Sequence, residues 1–241
     1  DKREVYAKVK ASNLYDKKLQ LYTISESLVG QPIGIGRMMA FAPGWLENQS
    51  VWTHMSYKWY LELLRAKLYD EFFTEIKTGF VPFMSSKVYG RSPLEASSFI
   101  VSSAFPDERL HGQGFLARLS GSTAEFLSMY NLMAVGRAPF VIEKTDDDDH
   151  ALALKPRPAL PKWLFQSDGT ASFLFLGKTW LTYHVKDGFF ESDDNIWEMD
   201  IEKIEYEMDD GTTGEVDGGT LGKTVAYAAR NRRVKTIDVY Y

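Results

Sequence analysis

The hydrophobic periodicity of the chain changes near residue 137. Before that point apolar residues recur at helical steps. Tyr57, Tyr60, Leu61, Leu64 and Leu68 make one face of a helix starting at about Thr53, with Glu62, Arg65 and Lys67 between them. After a pause near Ala66–Lys67, a second short helix is predicted over 69–77. Phe126, Leu127, Tyr130, Leu132 and Met133 form the apolar side of a third. Ser120, Ser122 and Thr123 are its N-cap candidates and Gly136 its end. Residues 1–29 read as mixed, helical at first and extended near 19–24.

After residue 137 the runs shorten and alternate. Residues 139–144, 170–177, 178–185, 196–208, 223–227 and 234–241 read as strands separated by Gly and Asp turns, and 211–219 as a flexible turn. That spacing predicts an antiparallel sandwich. The expected fold class is therefore α+β, with a helical region over 1–137 and a β-rich region over 138–241.

Composition narrows the function. The net charge is −5 with both signs mixed along the chain, which is no footprint for nucleic acid. No apolar run reaches the roughly 18 residues that a membrane helix needs. With no cysteine, disulfides and thiolate metal sites are excluded. A start at Asp1 reads as a cut or processed end, and a cytoplasmic location is expected. The four aspartates at 146–149 lack the alternate ligand spacing and glycine of a calcium loop and read as a solvated turn. The glycine-rich segment 30–36 lacks the Lys-Ser/Thr ending of a phosphate loop. Six Trp and 13 Tyr suit either a packed aromatic core or rings that stack on sugars.

Two places gather chemistry. Glu47, Asn48, Trp52 and His54 stand at the entrance of the first predicted helix. By pattern alone they read first as a capped helix start with a structural histidine, and second as a site. The Ser120–Thr123 turn opens the third helix with hydroxyls and backbone N–H groups, which can serve as an ordinary cap or as an anion site. The long Ser-, Gly- and Pro-rich segment 84–114 holds Arg91, Glu95, Arg109 and His111. Segments of this length in compact domains are often functional.

The segment LENQSVWTH at 46–54 resembles the Glu-Asn-x-x-Ile/Val-aromatic-x-His segment of the inverting disaccharide and oligosaccharide phosphorylases. These are the cellobiose phosphorylase-like enzymes of glycoside hydrolase family 94 and related families. LSGSTAEF at 119–126 resembles that family's hydroxyl-Gly-hydroxyl segment before the last barrel helix. The proline-rich strand, the sheet and the final IDVYY follow in the family's order. The resemblance implies an (α/α)6 toroid with β-sandwich domains, of which this chain would supply the last barrel helices and the closing β domain. It implies phosphate binding by His54, Ser120, Gly121, Ser122 and Thr123. It implies a sugar site at Glu47, with Asn48, Trp52, Arg91 and Glu95 as further substrate-binding candidates. Arg91 or Arg118 could clamp an oxyanion, or form a structural ion pair. The family's general acid, an Asp on an earlier barrel helix, has no match here.

The chemistry implied is inverting phosphorolysis of a β-linked gluco-disaccharide or oligosaccharide, with inorganic phosphate as co-substrate and no cofactor or metal. One carboxylic acid protonates the leaving oxygen, and the protein holds phosphate in line. The expected partners are the β-glucoside, phosphate and the remainder of the barrel, without nucleic acid or membrane. A homodimer is left open. The alternatives are an inverting glycosidase fragment and a non-catalytic carbohydrate-binding or scaffold module.

Overall fold

The computed structural model describes residues 1–92, 98–116, 119–144 and 150–241. The protein is mixed α and β and divides into two compact units, Asp1–Met129 and Tyr130–Tyr241. The division falls inside a helix, upstream of the change in periodicity. Among the described residues no helix is long and apolar enough to cross a membrane.

The first unit opens with α1 (Lys2–Ala11), followed by a short hairpin of β1 (Tyr15–Asp16) and β2 (Leu21–Tyr22). After two 3-10 turns come β3 (Val51–Trp52), α2 (Thr53–Arg65) and α3 (Tyr69–Gly79). The apolar face read from the sequence is the buried face: Tyr57, Tyr60, Leu61, Leu64 and Leu68 are all buried, while Glu62 and Arg65 are exposed. The pause between α2 and α3 is a left-handed turn at Lys67 (φ +60°). Gly79 ends α3 against the Tyr60 ring; a β-carbon there would lie 2.2 Å from the Tyr60 hydroxyl oxygen.

The segment after α3 is well built in its described parts. It forms α4 (Ser86–Tyr89), β4 (Phe99–Ile100) and β5 (Gly114–Phe115). Strands β3, β4 and β5 make a small antiparallel sheet in that order. Arg109 is held by Asp107, and His111 Nε2 lies 2.7 Å from the Phe105 carbonyl oxygen, so both serve this loop structurally.

On α3, Glu75 is only 1% exposed. Its Oε1 accepts hydrogen bonds from the Tyr6 hydroxyl, at 2.5 Å, and from Lys10 Nζ. Burial, together with the Glu75 carboxylate, pushes the Tyr6 hydroxyl up to about 12. This bonding ties α1 to α3.

Helix α5 (Ser120–Ala134) crosses from the first unit into the second. Its apolar side is thinner than the spacing predicts: Met129 is fully buried, whereas Leu127 is 54% and Tyr130 39% exposed. The chain leaves the helix through Gly136 at φ +96°, where a β-carbon would meet the Arg157 carbonyl at 2.7 Å.

The second unit holds the hairpin β6 (Phe140–Lys144) and β7 (His150–Leu154), then β8 (Thr170–Phe175), β9 (Thr179–His184), β10 (Lys203–Met208), β11 (Thr213–Asp217), α6 (Lys223–Arg230) and β12 (Val234–Tyr240). The acidic segment expected as a turn at 145–150 lies, but for His150, outside the described residues. Five strands form one sheet in the order β11-β10-β12-β9-β8, antiparallel except for β12 beside β9. The core joins the inner faces of this sheet, the hairpin and α6, with Leu154, Tyr183, Ile204, Ala226 and Val239 at its centre.

Three sequence expectations are corrected here. Residues 223–227 belong to α6, not to a strand. Val225, Ala226 and Ala229 fall on one helical face and are buried, and the period shows only when the run is extended to Arg230. Residues 213–217 are a strand rather than a flexible turn: β10 offers an open edge, and Tyr206 pairs across Gly214, whose missing β-carbon leaves room for the tyrosine ring. Residues 196–198 are a 3-10 turn, and the strand expected from 196 begins only at Lys203.

Candidate functional site

Two helix N-termini converge in the first unit, and one buried serine joins them. The Ser98 carbonyl accepts from the Thr53 N–H, at 3.0 Å, at the start of α2. The Ser98 hydroxyl accepts from the Leu119 N–H, at 2.6 Å, just before α5. Strand pairing of Trp52 with Phe99 sets this register, so the sheet delivers the start of α2 to the start of α5.

The junction is close. Thr53 Oγ1 and Ser122 Oγ lie 3.2 Å apart, and both residues are buried. One position after Thr53 and one before Ser122, His54 packs against Gly121. A β-carbon placed on Gly121 would stand 3.3 Å from His54 Cβ and 3.7 Å from its Cδ2. Glycine therefore gives the imidazole its place against the helix backbone.

Helix α5 begins at Ser120, so the cap position falls on Leu119 and the expected capping hydroxyls sit inside the first turn. Ser120 and Thr123 are exposed, and Ser122 is engaged with Thr53. The Ser122 N–H donates to the Leu119 carbonyl at 3.1 Å, and the start of α5 carries the positive end of the helix dipole.

His54 is half-buried, and its Nδ1 is buried with no hydrogen-bond partner. Burial, and then the Lys58 ammonium one turn along α2, hold its pKa below the ordinary 6.5, so the imidazole is neutral at neutral pH. The Trp52 ring stands edge-on to it, at 5.6 Å and 88°.

The preceding loop is tightly determined. Trp52 Nε1 donates to the Leu46 carbonyl at 2.7 Å, and Asn48 Nδ2 donates to the Phe41 carbonyl at 2.8 Å. Asn48 Oδ1 is buried with no partner. Leu46 and Gln49 adopt φ of +46° and +53°, so left-handed non-glycine residues flank Glu47 and Asn48. Such strain persists where the surroundings over-determine it, and it clusters at functional sites. The Glu47 carboxylate receives a two-point bond from the Arg37 guanidinium, with Nε at 2.9 Å.

Of the residues expected at the site, the structure brings together His54, Trp52 and the 120–123 turn. Glu47 and Asn48 lie on the loop leading into them. Arg91 is half-buried after α4. Glu95 and Arg118 lie outside the described residues. Ser98 and Lys58 were not singled out by sequence; Lys58 had a local signal, being four residues beyond His54 on one helical face. Among the described residues no group of three or more His, Asp and Glu side chains could hold a metal ion. No protein-family model and no curated protein matches the chain.

Proposed function

We propose that this chain supplies the phosphate- and sugar-binding residues of an inverting carbohydrate phosphorylase. The approach of His54 to Gly121 carries the reading. A neutral imidazole with an unpartnered Nδ1 stands against a helix start whose amides favour an anion. In this account His54 donates to a phosphate oxygen. The α5 amides and the Ser120 and Thr123 hydroxyls bind others, and Ser122 ties the two helices through Thr53. Glu47, oriented by Arg37, hydrogen-bonds the sugar beside Asn48 and Trp52, with Arg91 and Glu95 as further substrate contacts.

A phosphate oxygen attacks the anomeric carbon as the glycosidic oxygen leaves from the opposite face. A carboxylic acid protonates that oxygen, giving a sugar 1-phosphate and a shortened sugar with inversion. The acid comes from outside this chain, on an earlier helix of an (α/α)6 barrel, and the second unit corresponds to that architecture's closing sandwich-like domain. Met55, Leu116, Leu119 and Leu127 are each more than 40% exposed on the segments that carry the site, which suits a face covered by further helices. A cytoplasmic location belongs to the same proposal. Water in place of phosphate would make the parent enzyme a glycosidase, and phosphate dependence separates the two.

Calorimetric titration of inorganic phosphate into the chain tests the reading. Saturable binding is expected, weakened more than tenfold in His54→Ala, since a lost bond to a charged group costs roughly 1.5–3 kcal/mol. Heats matching a chloride control would overturn it.

A further inference from the structure

Four buried polar atoms in the interior of the first unit have no hydrogen-bond partner among the described residues. They are the Tyr22 and Tyr60 hydroxyls, the Trp59 indole Nε1 and Glu75 Oε2. None of them belongs to the proposed phosphate site. Tyr22, Tyr60 and Glu75 are 5%, 0% and 1% exposed. An orphaned buried group forfeits its hydration without return, so several in one place call for a common partner.

The fold brings them together. Trp59 and Tyr60 are consecutive on α2, and the Tyr22 ring of β2 lies 5.8 Å from the first and 6.1 Å from the second, centroid to centroid. Gly79 follows Glu75 by four residues on α3, so the two share one helical face. The missing β-carbon of Gly79 leaves room on that face for the Tyr60 hydroxyl. The electrostatics agree with this placement. Burial, and then the Glu75 carboxylate, raise both tyrosine hydroxyls above their ordinary value, and the Trp59 N–H opposes the rise at Tyr22. The other oxygen of Glu75, Oε1, is taken by Tyr6 and Lys10 of α1.

The donor set selects the occupant. An indole N–H can only donate, so it repels a cation. A carboxylate oxygen can only accept, so it repels an anion. The Lys10 ammonium already pairs with Glu75, which leaves no call for a second positive charge. Tyrosine hydroxyls can donate or accept. Water does both at once, and a buried water typically makes about three hydrogen bonds to groups that would otherwise be unsatisfied.

We propose that Trp59, Glu75, Tyr22 and Tyr60 form a built site for an internal water. The water accepts from the Trp59 N–H, donates to Glu75 Oε2 and bonds the tyrosine hydroxyls. It joins α2, α3 and β2 and, through Glu75, α1. Helix α1 has no buried residue of its own. It is tied down by Tyr6 and Lys10 to Glu75, by Arg3 to Glu71 and by Lys2 to the Ala66 carbonyl. A water that fixes the Glu75 carboxylate therefore helps to seat α1. The inference stands whether or not His54 binds phosphate.

Two measurements on the full chain test it. Oxygen-17 relaxation dispersion counts waters held longer than the protein tumbles, and a water-selective NOE experiment reads the Trp59 indole N–H. The parent chain should show a water NOE at that N–H. In the double variant Trp59→Phe/Tyr60→Phe the dispersion amplitude should fall by one water, and the α1 amides should exchange with solvent roughly tenfold faster. The proposal is overturned if the parent shows no such NOE, or if the folded variant keeps the full amplitude or the parent's exchange at α1. A high-resolution crystal structure that pairs the four atoms directly with one another would also overturn it. So would a saturable rise in melting temperature in potassium chloride over choline chloride that the variant loses, since that marks a bound cation instead.

Discussion

Gly121 and His54 are in contact, although 67 positions separate them in the chain. A β-carbon on Gly121 would stand 3.3 Å from His54 Cβ, so the histidine would have to give by a few tenths of an ångström. Gly121 lies inside the first turn of α5, where alanine improves helix propensity by up to about 1 kcal/mol. The two effects separate stability from function. Gly121→Ala should melt at the same or a higher temperature yet bind phosphate more weakly. Unchanged phosphate binding would remove Gly121 from the account.

Glu75 makes a stability prediction independent of any ligand. Replacing it by Ala strips the Tyr6 hydroxyl and the Lys10 ammonium of their common acceptor. Lys10 is about one-third exposed and recovers some hydration, so the loss should fall below that of a fully buried pair, at roughly 2–3 kcal/mol. Urea unfolding should show an earlier midpoint, and Tyr6 should titrate below its present value of about 12. A variant as stable as the parent would mean that the buried carboxylate contributes nothing net.

Turnover by the chain alone bears on where the acid resides. Incubated with cellobiose or laminaribiose and phosphate, the chain should release no glucose 1-phosphate above background. Release would place the general acid within this sequence, with Glu47 and Glu95 the first residues to substitute.

The local parts of the fold were legible because their signal is periodic and short-ranged. The buried face of α2 and its break from α3 follow from residues three and four apart. Helix α6 does not show in the run that ends at Tyr227, because its helical spacing is completed only by Ala229. The edge strand at 213–217 was missed because its stability comes from β10 and from Tyr206 across Gly214, neither visible in a Gly- and Thr-rich run.

At the candidate site the residue types were readable, but their meeting was not. Spacing cannot bring residue 54 to residue 121; only the resemblance suggested it. Ser98, which joins the two helix starts, looks like any serine in a serine-rich segment. Glu75 did carry a signal: it stands three residues after Phe72 and one before Ile76, on an otherwise apolar face.

The imidazole of His54 reports most directly on the central claim, through its nitrogen chemical shifts followed against pH with and without phosphate. In phosphate-free buffer it should titrate below 6.5, because burial and Lys58 disfavour its cation. The folded state then holds that proton less tightly than the unfolded chain. Its contribution to stability is therefore complete above the unfolded value and is lost as pH falls through the folded one. Phosphate bound at His54 favours the cation and should raise the titration saturably, whereas equal ionic strength of chloride should not. Identical titrations in phosphate and chloride would contradict the account.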